Sequence, residues 1–227
     1  DQDGCKDATE DTDDDNDGID DFSDLCDDIG DKIGWTSNSV RDHDSDGCHD
    51  AEEDDDDDND AIPDSVDDCP RGWFNWSSST ITDHDTDGCA DNGEDDDDDN
   101  DGMNDYDFDD LPLDQCPKGD LGWTSSPTTD RDGDGCRDDG EDTDDDGDTI
   151  LDMDDNCTPD GDLDWTSALP NDYDGDGCRD ATEDNDDDND GVLDSADTCP
   201  TGMTDWISSP LLDVDGDGCM DSDEDND

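Results

Sequence analysis

The sequence predicts an irregular fold with little regular secondary structure: an elongated tandem-repeat rod organised by Ca²⁺ loops and disulfides. Three observations predict it. Of 227 residues, 85 are acidic and 8 basic, giving a formal net charge of −77, and only 24% are hydrophobic. A chain so charged and so poor in apolar residues cannot fold by burial alone. Acidic residues then recur at fixed places in twelve-residue windows with a glycine at the turn, and cysteine and tryptophan recur with them.

The loops come in two kinds. The stretch Asp42–Asp67 holds one of each. In the first, Asp42, Asp44, Asp46, Asp50 and Glu53 occupy positions 1, 3, 5, 9 and 12, Gly47 sits at position 6, and the Cys48 carbonyl stands at position 7. This is the oxygen-ligand spacing of an EF-hand-type calcium loop. The second loop repeats it with Asp56, Asp58, Asp60, Asp64 and Asp67, and with the Ile62 carbonyl at position 7. Calcium is a hard cation that takes six to eight oxygens, and each loop supplies nearly all of them.

Further first loops read Asp83, Asp85, Asp87, Cys89, Asp91, Glu94; Asp130, Asp132, Asp134, Cys136, Asp138, Glu141; Asp172, Asp174, Asp176, Cys178, Asp180, Glu183; and Asp213, Asp215, Asp217, Cys219, Asp221, Glu224. The chain opens inside another, with Asp1, Asp3, Cys5, Asp7 and Glu10. Further second loops read Asp13, Asp15, Asp17, Ile19, Asp21, Asp24; Asp97, Asp99, Asp101, Met103, Asp105; Asp144, Asp146, Asp148, Ile150, Asp152, Asp155; and Asp186, Asp188, Asp190, Val192, Asp194, Asp197. In the loop that starts at Asp97, position 12 is Phe108, so Asp107, Asp109 or Asp114 must substitute. Ala61 and Thr149 replace the position-6 glycine of two second loops. Non-glycine residues there are strained, which predicts weaker or differently turned sites.

The array divides into repeats over 1–41, 42–82, 83–129 (with a six-residue insertion), 130–171, 172–212 and 213–227, the first and last incomplete. Both ends cut a motif, which reads as a segment of a longer array. First-loop cysteines step by 43, 41, 47, 42 and 41 residues, and each of Trp35, Trp76, Trp123, Trp165 and Trp206 precedes the next first loop by 7. Such a repeat touches only its neighbours, hence the elongated form. A disordered polyacidic tail lacks periodic Trp, Cys and Gly. No segment shows apolar helical periodicity, so helices are absent or single turns, and the Pro-, Gly- and Ser-bearing linkers predict turns with a short strand pair. Each periodic Trp is expected to cover a disulfide and a proline as a miniature core; a sugar-binding platform is the alternative.

Eleven cysteines in so polar a chain indicate disulfides in an oxidising, extracellular compartment. No CxxC pair occurs, and His43, His49 and His84 show no ligand spacing, which disfavours zinc. Two registers fit the ten cysteines Cys26, Cys48, Cys69, Cys89, Cys116, Cys136, Cys157, Cys178, Cys199 and Cys219. Pairing within a double loop joins Cys48 to Cys69; pairing across the linker joins Cys69 to Cys89. Either closes a loop worth roughly 3 kcal/mol.

Tandem Asp-x-Asp-x-Asp-Gly loops, each pair closing with Asp-x-Cys and often Pro, as in Asp155-Asn156-Cys157, Cys69-Pro70, Cys116-Pro117 and Cys199-Pro200, resemble thrombospondin type 3 repeats. The resemblance covers the whole chain. It implies a calcium-dependent, disulfide-bonded extracellular module wound around many ions, and it favours the linker register. Two features depart from that family: the first-loop cysteine at position 7 and the Trp-Ser/Thr linker. In these the chain looks closer to Asp-rich arrays of prokaryotic surface proteins.

Net charge excludes nucleic acid as a partner and disfavours anionic membranes, and no apolar run approaches the ~20 residues of a membrane span. No Ser/His or Cys/His arrangement points to an enzyme. A site of Kd ~0.1 mM facing ~10 mM calcium contributes about 2.7 kcal/mol, and ten would contribute about 27. Ten ions neutralise 20 of the 77 charges, so further ions are expected, bridging Glu53-Asp54-Asp55-Asp56 and its counterparts. The sequence therefore points to about ten or more Ca²⁺ per chain segment in an extracellular or cell-surface rod, stalk or filament. Its partners would be further copies of itself or other surface or matrix proteins. A calcium-dependent adhesin that binds glycans and a calcium store or mineral nucleator are the alternatives. Asn75 and Asn156 lie in glycosylation sequons, Asn75 the freer of the two, and the Ser/Thr after each Trp are candidate O-glycan carriers or plain turn residues.

Overall fold

The computed structural model describes residues 11–27, 33–109, 111–159 and 161–222. Among them there is no helix and no extended strand; isolated bridge residues occur at Tyr106 and Pro112, in the insertion, and the rest is turns and bends. The linkers hold no strand pair. Their backbone bonds run to the loops instead: the N–H groups of Ser37, Ser78, Ser125, Ser167 and Ser208 donate to the carbonyls of Asp17, Asp60, Asp101, Asp148 and Asp190. The chain forms two compact units, Asp1–Asn100 with Asn104–Leu111, and Asp101–Met103 with Pro112–Asp227. Cys26–Cys48 and Cys69–Cys89 lie in the first; Cys116–Cys136, Cys157–Cys178 and Cys199–Cys219 lie in the second. All five disulfides span linkers, so of the two registers the linker pairing is the one formed. Cys5 lies outside the described residues.

Each loop is a double left-handed turn. Position 4 has positive φ at Ser45 (67°), Asn59 (56°) and Thr86 (66°), and position 6 has it at Gly47 (94°). Ala61 (82°) and Thr149 (87°) take the same conformation as the glycines they replace, so these loops are not turned differently. Hydrogen bonds to the aspartates hold the turn in place. Ala61 N–H donates to Asp56 Oδ2 at 3.2 Å and Thr149 N–H to Asp144 Oδ2 at 3.0 Å.

Consecutive repeats are clasped at one recurring joint. The backbone N–H after the second loop donates to the position-5 carbonyl of the next first loop: Leu25 to Asp46, Asp68 to Asp87, Gln115 to Asp134, Asn156 to Asp176 and Thr198 to Asp217, all at 2.7–2.8 Å. A Cβ at Gly47 would overlap the Asp24 carboxylate, and Gly88, Gly135, Gly177 and Gly218 stand likewise against Asp67, Asp114, Asp155 and Asp197. Glycine at first-loop position 6 thus serves close approach as well as the turn. The linker adds a third tie. The serine two residues past each Trp (Ser37, Ser78, Ser125, Ser167, Ser208) donates its hydroxyl to the first aspartate of the following loop.

Apolar burial is slight. The buried hydrophobic residues are Trp35, Trp206, Ala90 and the first-loop cysteines Cys48, Cys89, Cys136, Cys178 and Cys219. Trp35 meets the His49 ring edge-on at 4.8 Å and Arg179 lies 5.9 Å over Trp165, so these rings pack on the residue that follows a disulfide cysteine. Phe22, Phe108 and Leu211 are almost wholly exposed.

Relief of the left-handed strain is testable. Ala61→Gly and Thr149→Gly should each raise unfolding stability in calcium by about 1 kcal/mol, measured by denaturant titration, because an L side chain is removed from positive φ.

Candidate metal centres

The loops gather carboxylates as their spacing predicts. One oxygen from each of Asp13, Asp15 and Asp17, of Asp42, Asp44 and Asp46, and of Asp56, Asp58 and Asp60 lies within 4.8 Å of the others in its group. Oxygens of the same carboxylates also accept from the loop's own backbone. Asp42 Oδ1 and Asp44 Oδ1 accept from Asp46 N–H (3.1 and 3.2 Å), and Asp46 Oδ1 accepts from Cys48 N–H (2.9 Å). The second loop copies this with Asp56, Asp58 and Asp60. Position 9 braces the loop from across: Asp50 Oδ1 accepts from His43 N–H at 3.1 Å, and Asp64 Oδ1 from Asp57 N–H at 2.9 Å. The same bond recurs at Asp21, Asp91, Asp105, Asp138, Asp152, Asp180, Asp194 and Asp221.

Position 12 differs between the two kinds of loop. In second loops the aspartate turns inward: Asp67 stands against Asp58 and Asp60, and Asp24 against Asp17 and Asp15. Its Oδ1 accepts from the cysteine N–H two residues on, at 2.7 Å in Asp24 and 2.6 Å in Asp67. Asp114 makes the same bond to Cys116 and the same approach to Gly135 as Asp24 and Asp67 make to their own cysteine and glycine. Asp107 is used otherwise, capping Asp109 and Leu111 N–H in the insertion.

In first loops the position-12 glutamate takes backbone N–H partners, and Glu94 keeps one oxygen, Oε2, buried without a donor. A single helical turn aims Glu53, Glu141 and Glu183 back at the position-8 N–H of His49, Arg137 and Arg179. Glu141 also accepts from Asp120 N–H (2.8 Å), and Glu94 from Trp73 N–H, both in the preceding linker. The residue that joins the loop carboxylates is the next one, which the spacing did not single out. Asp54 stands against Asp46 and Asp44, Asp95 against Asp87, Asp142 against Asp132 and Asp134, and Asp184 against Asp174 and Asp176. The readable signal was an aspartate after every described first-loop glutamate. Asp1, Asp3, Cys5, Asp7, Glu10 and Glu224 lie outside the described residues.

These groups are buried to an unusual degree. Asp17, Asp42, Asp58, Asp60, Asp83, Asp130, Asp148, Asp172, Asp188 and Asp190 are each no more than 2% exposed. Burial, reinforced by neighbouring carboxylates, pushes Asp67 and Asp54 up to about 7, and Asp58, Asp148 and Asp188 up to about 6. Asp213 moves down, because the Ser208 hydroxyl and loop N–H groups bind its charged form. Several buried oxygens have no hydrogen-bond donor: Asp15 Oδ2, Asp17 Oδ2, Asp60 Oδ2, Asp67 Oδ2, Asp144 Oδ1, Asp146 Oδ2, Asp148 Oδ2 and Asp197 Oδ2. Buried polar atoms are rarely left so, and a carboxylate needs a counter-charge when water is removed. These oxygens belong to second loops, where donor-free oxygens of neighbouring carboxylates fit a hard divalent cation such as Ca²⁺; in first loops Asn59 Nδ2 donates to Asp44 and Asp46 Oδ2.

Compared with family models and with curated proteins, the chain matches none. Among the described residues no helix is long and apolar enough to cross a membrane, and five disulfides point to an oxidising, extracellular-type environment.

Glutamate and aspartate at the end of a first loop separate cleanly. Asp142→Asn should lower the number of calcium ions counted by native mass spectrometry. Glu141→Gln should leave that number unchanged while lowering the melting temperature, because it loses only the Arg137 and Asp120 N–H bonds.

Proposed function

We propose that this chain is an extracellular calcium-binding structural repeat protein, similar in organisation to thrombospondin type 3 repeats, whose loops and disulfides stiffen a rod, stalk or filament of a cell surface or matrix. One observation carries the reading: every fully buried side chain among the described residues is an aspartate. A fold whose interior is carboxylate is unstable without cations and is stabilised by each one it takes up. Ca²⁺ suits these loops better than Mg²⁺. The ligands are many, flexible and wholly from protein, whereas Mg²⁺ keeps its waters and demands a strict octahedron.

The linkers support the structural reading over the glycan-binding one. Trp35 and Trp206 are 6% and 9% exposed, and the serine hydroxyls two residues past each Trp are committed to aspartates. Asn156 Nδ2 donates to Asp176 Oδ2 at 2.8 Å, whereas Asn75 is exposed and open to glycosylation.

Chelator titration of the oxidised protein, followed by small-angle scattering with ion counting, tests the proposal. A stiff, extended particle should bind ten or more calcium ions cooperatively and expand and soften as they are removed. A profile unchanged by chelator, or weak graded binding without a structural transition, would refute it.

A further inference from the structure

A second kind of carboxylate group sits between the two loops of a repeat, built from position 9 of each loop, position 2 of the second loop and the aspartate that follows the first-loop glutamate. In the second repeat one oxygen each from Asp50, Asp54 and Asp57 lies within 4.8 Å of the others. Asp50 is position 9 of the first loop, Asp57 is position 2 of the second, and Asp54 joins them. Asp64, position 9 of the second loop, closes the group by holding Asp57 N–H. Here the pocket already contains a cation. The Arg71 guanidinium donates from Nη2 to Asp50 Oδ2 and from Nε to Asp57 Oδ2, the latter at 2.9 Å.

The fourth and fifth repeats rebuild the pocket without the arginine. Two residues past the second-loop cysteine, where Arg71 follows Cys69, they carry Pro159 and Thr201. Asp145 stands against Asp152, Asp138 and Asp142, and Asp187 against Asp194, Asp180 and Asp184. Asp145 is 8% exposed, and its Oδ1 is buried with no hydrogen-bond donor. Asp142 Oδ2, Asp184 Oδ2 and Asp187 Oδ1 share that condition. The nearest polar addition is the Thr158 hydroxyl, which donates to Asp152 Oδ1 at 3.1 Å and brings no charge. Arg137 pairs with the linker Asp120 and Arg179 with the linker Asp162, both at 3.6 Å, and Arg137 also reaches Asp139 at 3.9 Å.

We propose that this inter-loop pocket is a third cation site, filled by the Arg71 guanidinium in the second repeat and by a calcium ion in the fourth and fifth. The same oxygens lack a donor in all three copies, Asp54 Oδ2 and Asp57 Oδ1 in the second repeat included; only the second repeat adds a fixed positive charge, so the same acidic frame in the others lacks the counter-charge that buried carboxylates require. A guanidinium and a hard divalent cation both satisfy convergent carboxylates. Asp142 and Asp184 face the first-loop carboxylates as well as this pocket, so each is a bridging ligand between two ions. The inference rests on calcium filling the loops.

The experiment counts ions by native mass spectrometry on the oxidised chain in saturating calcium. Asp145→Asn and Asp187→Asn should each remove one ion, and Arg71→Gln should add one. If the wild-type chain retains no stoichiometric calcium, the loop reading fails and this inference with it. If the wild type is loaded but Arg71→Gln leaves the count unchanged, the third site is overturned while the loops stand. Loss of several ions together in Asp145→Asn would signal damage to the neighbouring loops. Arg71→Gln then decides alone, a gain of one supporting the site and no gain overturning it.

Discussion

Buried carboxylate is the constraint on which everything else depends. In an ordinary domain apolar side chains leave water and polar groups stay out. Here aspartates occupy the interior, while Phe22, Phe108 and Leu211 lie on the surface. Taking an unpaired charge out of water costs far more than any packing this chain offers could return. The backbone supplies part of the compensation, since every loop aims N–H groups at its own aspartates. What the N–H groups leave unmet are second oxygens, which in second loops have no donor and in first loops take side-chain donors, as Asp44 and Asp46 do from Asn59 and Asp42 from Ser37. The disulfides and the serine ties hold those oxygens together against their mutual repulsion.

Much of this was legible in the residues. Positions 1, 3 and 5 converge as their spacing requires, because an alternating aspartate run with left-handed residues at positions 4 and 6 has few other ways to close. The linker disulfides follow the register that the thrombospondin-like ending favours. The end of the first loop holds one neighbour that its spacing does not show. Glutamate at position 12 has the reach to ligate, but a single helical turn points it at the position-8 N–H and the preceding linker. The shorter Asp142 follows it and lies against Asp132 and Asp134. Sequence spacing alone does not register a one-residue rotation of that kind.

The serines were legible in pattern and opaque in meaning. Five of five occupy the second place after Trp, which reads equally as a glycan carrier or a turn. Only the fold shows the hydroxyl meeting the buried Asp42 or Asp213 of the next loop. The left-handed residue before each Trp (Gly34, Asn75, Gly122, Asp164 and Asp205) is another regularity whose residue types vary too much to read, yet φ is positive in all five. Conformation rather than identity is what the linker repeats there.

The linker disulfides determine how this chain would carry tension. Each closes the segment between its cysteines, 20 to 22 residues apart, into a covalent ring that pulling on the chain cannot straighten. Force then passes through the sulfur–sulfur bond and bypasses the tryptophan linker. Among the described residues, the stretches left to lengthen lie between one ring and the next, such as Cys48 to Cys69, which holds the end of a first loop and a whole second loop. Extensibility is therefore concentrated in the segments that hold the buried carboxylates, and under the proposed calcium reading the ambient calcium concentration becomes a setting for mechanical compliance.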